Sequence, residues 1–452
     1  MTCQKFRLLP TVLFTLASLL ALPSASIAQT QSAVEESATA AATAPQITIF
    51  HFSDNGSDKA TRVTTDAAGN FYVAATLDSI DPFSHASGFA VLKYNFNGKL
   101  QGAFRHQNAP GEFQGMANAV KVDKQGNIYA AGTTSFGGLV ESFTAAGAQR
   151  WADRFATSAG NQVALAIDQS GNIYAAGNGG SDGVGPILEW VIVKYSSSGK
   201  VLWEQHHTGD PSLDSRVTDI QLDSEGNPIV LGTTSNSLAT KTNNMTVVKF
   251  NSHGDTLWAK DFAVPDNSLV PGGLAIDHGG NVYATSLTTP NDSLFPGGVV
   301  ITTPFTVKYD PNGVLKFVLQ GEGAGGTSVA VDPAGDILLT GAIVNFGRPT
   351  FSEATKIHPS GAKVWVTQIP ATGKIVSDSA GNVFVAGSHL VAIPFGFVIT
   401  KLSPAGRVLF APSLLPGDDI TDAVVDPFGN LLATGFGPNA QSLNDIFTVR
   451  LK

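Results

Sequence analysis

Cysteine is nearly absent from this chain: 452 residues contain one, Cys3. Cysteine-ligated zinc, thiol catalysis and iron–sulfur chemistry are therefore excluded, and no disulfide can staple the fold. Charge is scarce too, with Asp, Glu, Lys and Arg making up 14% of the residues. Basic residues are the rarer kind, 27 against 36 acidic ones, for a formal charge of −9. That balance argues against nucleic acid or an anionic membrane surface as a partner. Beyond the N-terminal region no apolar run is long enough to span a bilayer. H-E-x-x-H does not occur, and no acidic stretch has EF-hand spacing.

What the chain does have is one stretch that keeps returning. DQSGNIYAAG (Asp168–Gly177) recurs with small changes from Asp66, Asp123, Asp223, Asp277, Asp332, Asp378 and Asp426, eight copies in all. Each keeps a Gly three residues after the Asp, as in Gly69 and Gly171. A hairpin turn ending in positive φ explains that Gly, and an Asx-turn explains the Asp. A second turn follows each first one, as in YNFNGK (Tyr94–Lys99) and YSSSGK (Tyr195–Lys200). The unit is strand a, tight turn, strand b, variable loop, strand c, tight turn, strand d, with no helical periodicity between strands. Many such units in phase predict an all-β chain folded as a single β-propeller.

Eight copies predict eight four-stranded blades, with seven as the alternative. The last copy stops after a c strand, Ile446–Leu451, whereas an orphan strand, Gln46–Phe52, precedes the first Asp. The expectation is that this N-terminal strand becomes the outer strand of the last blade and closes the ring, removing two exposed edges.

Residues 1–28 read as a secretory signal, with Lys5 and Arg7 before an apolar stretch, Leu8–Leu22, and small residues at Ser26-Ile27-Ala28. Residues 29–45 read as a flexible Ala/Ser/Thr-rich linker, and 46–452 as the propeller. Removal of the signal leaves 25 basic and 36 acidic residues, a formal charge of −11. The chain is expected to be exported, to the periplasm, the cell surface or the medium, and to be monomeric.

Other positions repeat as well. Strand b ends in Gly132, Gly177, Gly232, Gly341, Gly387 or Gly435, which suggests close approach of neighbouring blades. Strand d carries Trp151, Trp203, Trp258 and Trp365, which read as blade-to-blade packing residues. Strand c ends in Lys93, Lys194, Lys249, Lys308, Lys356, Lys401 or Arg450, with Ser142 in the second copy. Because strand a ends near the same rim, a recurring ion pair with the turn Asp is expected.

IDQSGNIYAAG (Ile167–Gly177), VIVKYSSSGKVLW (Val191–Trp203) and VVKFNSHGDTLW (Val247–Trp258) resemble the bacterial SBBP (β-propeller) repeat family. The resemblance covers most of residues 61–452. It implies the fold and an exported location, and it carries no catalytic residues. GKVLW (Gly199–Trp203) and GDTLW (Gly254–Trp258) are also similar to the blade-end motif of eight-bladed quinoprotein propellers. The adjacent cysteine pair of the quinoprotein dehydrogenases cannot exist here, so this second resemblance implies a scaffold.

Function is expected on the face that carries the long b–c and d–a loops, since variable loops on a rigid scaffold are where recognition is built. The candidate binding residues there are Asp54, Asp58, Asp210, Asp214, Asp266, Glu322, Asp418, Asp419, His206 and His207, with Glu112, His51 and His106 nearby. The leading expectation is an exported, non-enzymatic module that binds a protein or glycan or serves as a scaffold. The alternative is a propeller lyase or glycan-active hydrolase with His and carboxylate groups at the channel mouth. No cofactor is required, and the acidic loops could take calcium.

Overall fold

The computed structural model describes residues 46–53, 56–77, 88–112, 115–155, 163–179, 189–209, 215–235, 242–265, 267–290, 302–343, 351–388, 396–411, 419–438 and 444–452. Residues 1–45, read above as signal and linker, lie outside them. Among the described residues all regular structure is β, in eight antiparallel four-stranded sheets arranged as an eight-bladed propeller. The count rules out the seven-bladed alternative. Blade 1 is Lys59–Thr65 (strand a), Phe71–Leu77 (b), Gly88–Tyr94 (c) and Leu100–Arg105 (d). The a strands line the axis and the d strands form the outer rim.

Blade 8 is assembled from both ends of the chain. Asp419–Val425, Leu431–Pro438 and Asn444–Leu451 supply strands a to c, and Ile47–Phe52 supplies d. Ile47 pairs antiparallel with Leu451 and Phe52 with Ile446, with no segment between them, as the orphan strand predicted. The N–H of Lys452 donates to Gln46 O at 3.1 Å, extending the ladder.

Both faces of each sheet are covered by neighbouring sheets, so strands b and c read as continuous apolar runs rather than alternating ones. The core is therefore divided. Eight apolar clusters lie one at each junction between adjacent blades. The junction of blades 8 and 1 joins Leu432 and Ile446 to Val63, Phe71, Val73 and Tyr94, with Phe50 and Phe52 packed alongside. Phe71 stacks on Tyr94 with ring centroids 4.6 Å apart, and Phe50 lies 5.4 Å from Phe71. Each buried aromatic of this size contributes about 2 kcal/mol or more, which lets the ring hold without disulfides.

The repeated Asp closes its own turn. In blade 1, Asp66 Oδ1 accepts from the N–H groups of Ala68 and Asn70, both at 2.9 Å. Its Oδ2 accepts from Asn70 Nδ2 at 2.7 Å and from Tyr72 OH at 3.0 Å. Asp123, Asp168 and Asp277 repeat the same four contacts, and Gly69, at φ 77°, completes the turn as predicted.

Two expectations need correction. The Gly at the far end of strand b does not face a neighbouring blade in most copies. A Cβ on Gly132, for example, would lie 1.8 Å from Met116 O in strand a of the same blade, where Ala117–Ala119 forms a β-bulge. Gly177 lies against the Phe155 ring of the preceding blade, and Gly232 meets Trp190 of the preceding blade as well as its own strand a.

The second correction concerns the strand c lysine. It forms an ion pair with the turn Asp in blades 4 and 6, through Lys249–Asp223 at 2.9 Å and Lys356–Asp332 at 2.6 Å. Lys249 also reaches forward, to Pro311 O at 3.4 Å, and in other blades the forward reach stands alone. Lys93 donates to Ala145 O, Lys194 to Ser252 O and Lys308 to Pro359 O, each in the c–d turn of the next blade. On the way the ammonium crosses the strand b aromatic, 4.9 Å from the Tyr174 ring in blade 3. A backbone carbonyl held at the blade junction competes successfully with a carboxylate already saturated by four donors.

The strand d tryptophans use the same acceptors. Trp203 Nε1 donates to Ser252 O and Trp258 Nε1 to Pro311 O, both at 3.0 Å, beyond the packing role expected of them. Blade 2 has no strand c lysine, and Arg150 of its strand d takes the place, bonding Tyr129 OH at 3.1 Å and Ser142 Oγ at 3.0 Å. In blade 8 the reach closes the ring: Arg450 donates to Phe96 O of blade 1, between the rings of Phe50, Phe71 and Phe96.

Candidate functional site

Polar chemistry outside the repeat gathers in two places, the loop-face ends of the strands and the axial channel. On the loop face Asp54, Asp210, Asp214, Asp266 and Asp418 lie outside the described residues. Asp58 is fully buried, with its N–H donating to Asn444 O at 2.8 Å, so it presents no carboxylate to solvent. Glu322 is exposed, and its carbonyl accepts from Lys363. Asp419 accepts from Ser388 Oγ at the start of blade 8. Among the described residues no group of three or more His, Cys, Asp and Glu has a geometry that would hold a metal ion.

His206 and His207 end the outer strand of blade 3, Val201–His207. His206 lies between Glu189 and Glu204, 3.0 Å from each. Burial lowers its basicity, but the two carboxylates outweigh this and raise its pKa above the usual range. His207 instead packs on Trp190, ring centroids 5.0 Å apart, and burial pushes its pKa down. His51 sits on the closing strand against Phe447. The histidines are thus spread over the outer rim of three blades, and they do not converge on the channel.

The most organised loop-face cluster surrounds His106, where blade 1 hands over to blade 2. His106 Nδ1 lies 3.2 Å from Glu141 Oε2, and its Nε2 lies 3.3 Å from Glu112 Oε2. Arg154 bonds the other Glu112 oxygen at 2.5 Å and Thr134 Oγ1 at 2.9 Å. Burial alone would push the Glu112 carboxyl up. Bonds from the Ala109 N–H, Thr134, Arg154 and His106 overcome it and hold the pKa at about 2. Burial likewise opposes the charge on His106, and the hydrogen bonds and charges of Glu141 and Glu112 overcome it, so its pKa is raised. Glu141 is fully buried, and its Oε1 has no hydrogen-bond partner among the described residues. Above this network the Phe136 ring, 49% exposed, covers the Arg154 guanidinium at 5.5 Å. Glu112 and His106 were legible as loop-face candidates, whereas Glu141 and Arg154 were not, because each lies inside a strand.

The charges inside the channel were not anticipated. A cavity of about 560 Å³ runs between the a strands, lined by Arg62, Asn118, Lys121, Asp219, Lys374 and Asp422 among others. Asp422 Oδ2 accepts from the Val63 N–H at 3.1 Å, tying blade 8 to blade 1, and its Oδ1 lies 3.9 Å from Lys374. The Lys121 side chain is exposed to the lumen, among the surrounding a strands. Burial pushes its pKa down. Asp219 and Asp422 counter that shift, while Lys374 and Arg62 add to it. A sequence signal did exist. Four residues before each repeated Asp stand Arg62, Ala119, Ala164, Asp219, Gly273, Ser328, Lys374 and Asp422, and that column is where the copies disagree most in charge.

No protein-family model matches the chain, and no curated protein matches it. Among the described residues no helix is long and apolar enough to cross a membrane. Several solved structures are similar over most of their length. The polysaccharide lyase Uly1 shares 11% identity over 89% of this chain and 98% of its own, at a TM-score of 0.48. Virginiamycin B lyase from Staphylococcus aureus shares 11% identity over 90% and 100%, at 0.47. The WD40 β-propeller domain of Doa1 shares 12% identity over 90% and 97%, at 0.45. These proteins differ from one another in activity, and the eight-bladed architecture of this chain rests on its own strand pairing.

Proposed function

We propose that this protein is an exported, non-catalytic propeller of the SBBP type that binds a protein or glycan through its loop face. The observation that carries the reading is the segregation of its chemistry. On the turn face the repeated Asp, Asn, Tyr and Lys groups bond one another or the next blade, leaving a uniform surface. On the loop face the polar clusters are singular: His106–Glu112–Glu141–Arg154 with Phe136 above it, and Glu189–His206–Glu204. An exposed aromatic stacked on a guanidinium is a rigid amphipathic platform of the sort that anchors binding surfaces. The lyase or hydrolase alternative has less support, because its histidines stand on the outer rim, away from the channel mouth.

Screening the mature chain against immobilised glycans and exported-protein peptides tests the reading. Binding should be saturable and should fall about tenfold or more in Phe136→Ala, in line with loss of an aromatic anchor, while Lys99→Ala on the turn face leaves it unchanged. Turnover of a glycan, or binding that both variants weaken equally, would overturn it.

A further inference from the structure

The axial channel carries charges that the fold does not use. Around its middle, Arg62 from blade 1, Lys121 from blade 2 and Lys374 from blade 7 face Asp219 from blade 4 and Asp422 from blade 8. Three cations thus face two carboxylates in a protein whose formal charge is −9. Asp422 is engaged by the Val63 N–H and by Lys374. Asp219 Oδ1 accepts from the Ile220 N–H at 2.9 Å.

The cations are less well served. Lys121 makes no hydrogen bond and no ion pair within 4 Å among the described residues, and Arg62 reaches only the carbonyl of its neighbour Thr61, at 3.4 Å. Asn118 adds a buried Oδ1 with no donor. Lys121 has Asp219 and Asp422 only at longer range, and a recess that keeps cations with no close acceptor is suited to an anion. Acceptors beside them, Asp219 and Asn118, suit the hydroxyl groups of the same ligand. A volume of about 560 Å³ is that of a small-molecule site.

We propose that the channel binds a small hydroxylated carboxylate, its acid group on Lys121 and Arg62 and its hydroxyls on Asp219 and Asn118. A divalent cation is disfavoured, because Arg62, Lys121 and Lys374 share the cavity with the two aspartates that would have to hold it. The proposal is independent of the loop face, since its contacts lie on the a strands.

Isothermal titration of the mature protein with gluconate, with sorbitol as the neutral counterpart, tests it. Gluconate should bind saturably and sorbitol about tenfold more weakly or not at all, as expected when a charged hydrogen bond is lost. Lys121→Met should weaken gluconate by about the same factor, and Lys99→Ala on the turn face should leave it unchanged. Should Lys121→Met fail to fold by circular dichroism, Arg62→Gln replaces it with the same expected loss. Absence of saturable gluconate binding to the unaltered protein, equal binding of sorbitol, or full affinity in the folded channel variant would each overturn the proposal.

Discussion

The two faces of the ring obey different rules. On the turn face one arrangement recurs: an Asp accepting from two backbone N–H groups and an Asn, and in four blades from a Tyr as well, with a Lys or Trp reaching to the next blade. On the loop face and in the channel the chemistry varies from blade to blade; Glu141 and Lys121 each have no equivalent in the other blades. Repetition here marks what the ring needs in order to assemble. A ligand that lacks eightfold symmetry can be recognised only by residues that break it, so the singular positions are where recognition must be sought.

The largest expected effect removes the closing strand. Deletion of residues 46–54 takes away Ile49, Phe50 and Phe52 and leaves the c strand of blade 8 with an open edge. Loss of a single packed Phe costs about 3 kcal/mol or more, so the deletion should cost several times what a turn substitution does and promote aggregation. Deletion of residues 29–45 should leave the thermal midpoint in place. Equal midpoints for the two truncations would break the comparison.

Next comes the turn lock itself. Asp223→Ala strands the buried Lys249 ammonium without its partner and should lower stability by about 3 kcal/mol, read as a denaturant midpoint. Asp310→Ala, in an exposed c–d turn where Asp310 meets Lys316 at 3.2 Å, should have a much smaller effect. If the two match, the turn locks do not hold the blades.

The His106 cluster should appear in the pH dependence of stability. Glu112 has its pKa lowered from 4.5 to about 2, so its contribution is present above pH 4.5 and is lost as pH falls toward 2. His106 has its pKa raised from 6.5, so its contribution is complete below pH 6.5 and fades as pH rises through the shifted value. Glu112→Gln should flatten the acid limb of a midpoint-versus-pH curve, and His106→Gln part of the alkaline limb, where His206 keeps its own share. Unchanged limbs in both variants would show that the four groups do not act as one network.

The smallest expected effect is on stability in Phe136→Ala, within about 0.5 kcal/mol as for exposed positions generally. A larger loss by denaturant titration would make Phe136 a structural residue and remove the platform from the binding reading.

Much of the ring was legible in the sequence because its interactions are short in range or repeated. The Asp–Gly turns involve residues two to four apart, and the orphan strand 46–52 had one free edge to fill. The partner of the strand c lysine was not legible. Its choice between Asp66-type carboxylates and a carbonyl about fifty residues ahead depends on how blades abut, which no single repeat contains. The strand b glycines misled for the same reason, since the bulge at Ala117–Ala119 that they accommodate is a feature of pairing and not of composition. The channel charges were missed because each copy contributes one at most, and reading along the chain hides what reading down the aligned copies displays.

The reach of each blade toward its successor has a direction. Lys93 addresses blade 2, Lys194 addresses blade 4, Lys308 addresses blade 6, and Arg450 addresses blade 1. In the language of assemblies, the blades meet as heterologous subunits, plug to socket, and the ring closes because the rotation between them returns to its start. Such a join is indifferent to how many units take part. A chain that gained or lost one whole repeat would still present a donor to a matching acceptor at each seam that the repeat forms with another complete repeat. These bonds therefore do not set the number eight, and a change in ring size would have to begin in the apolar junctions between blades.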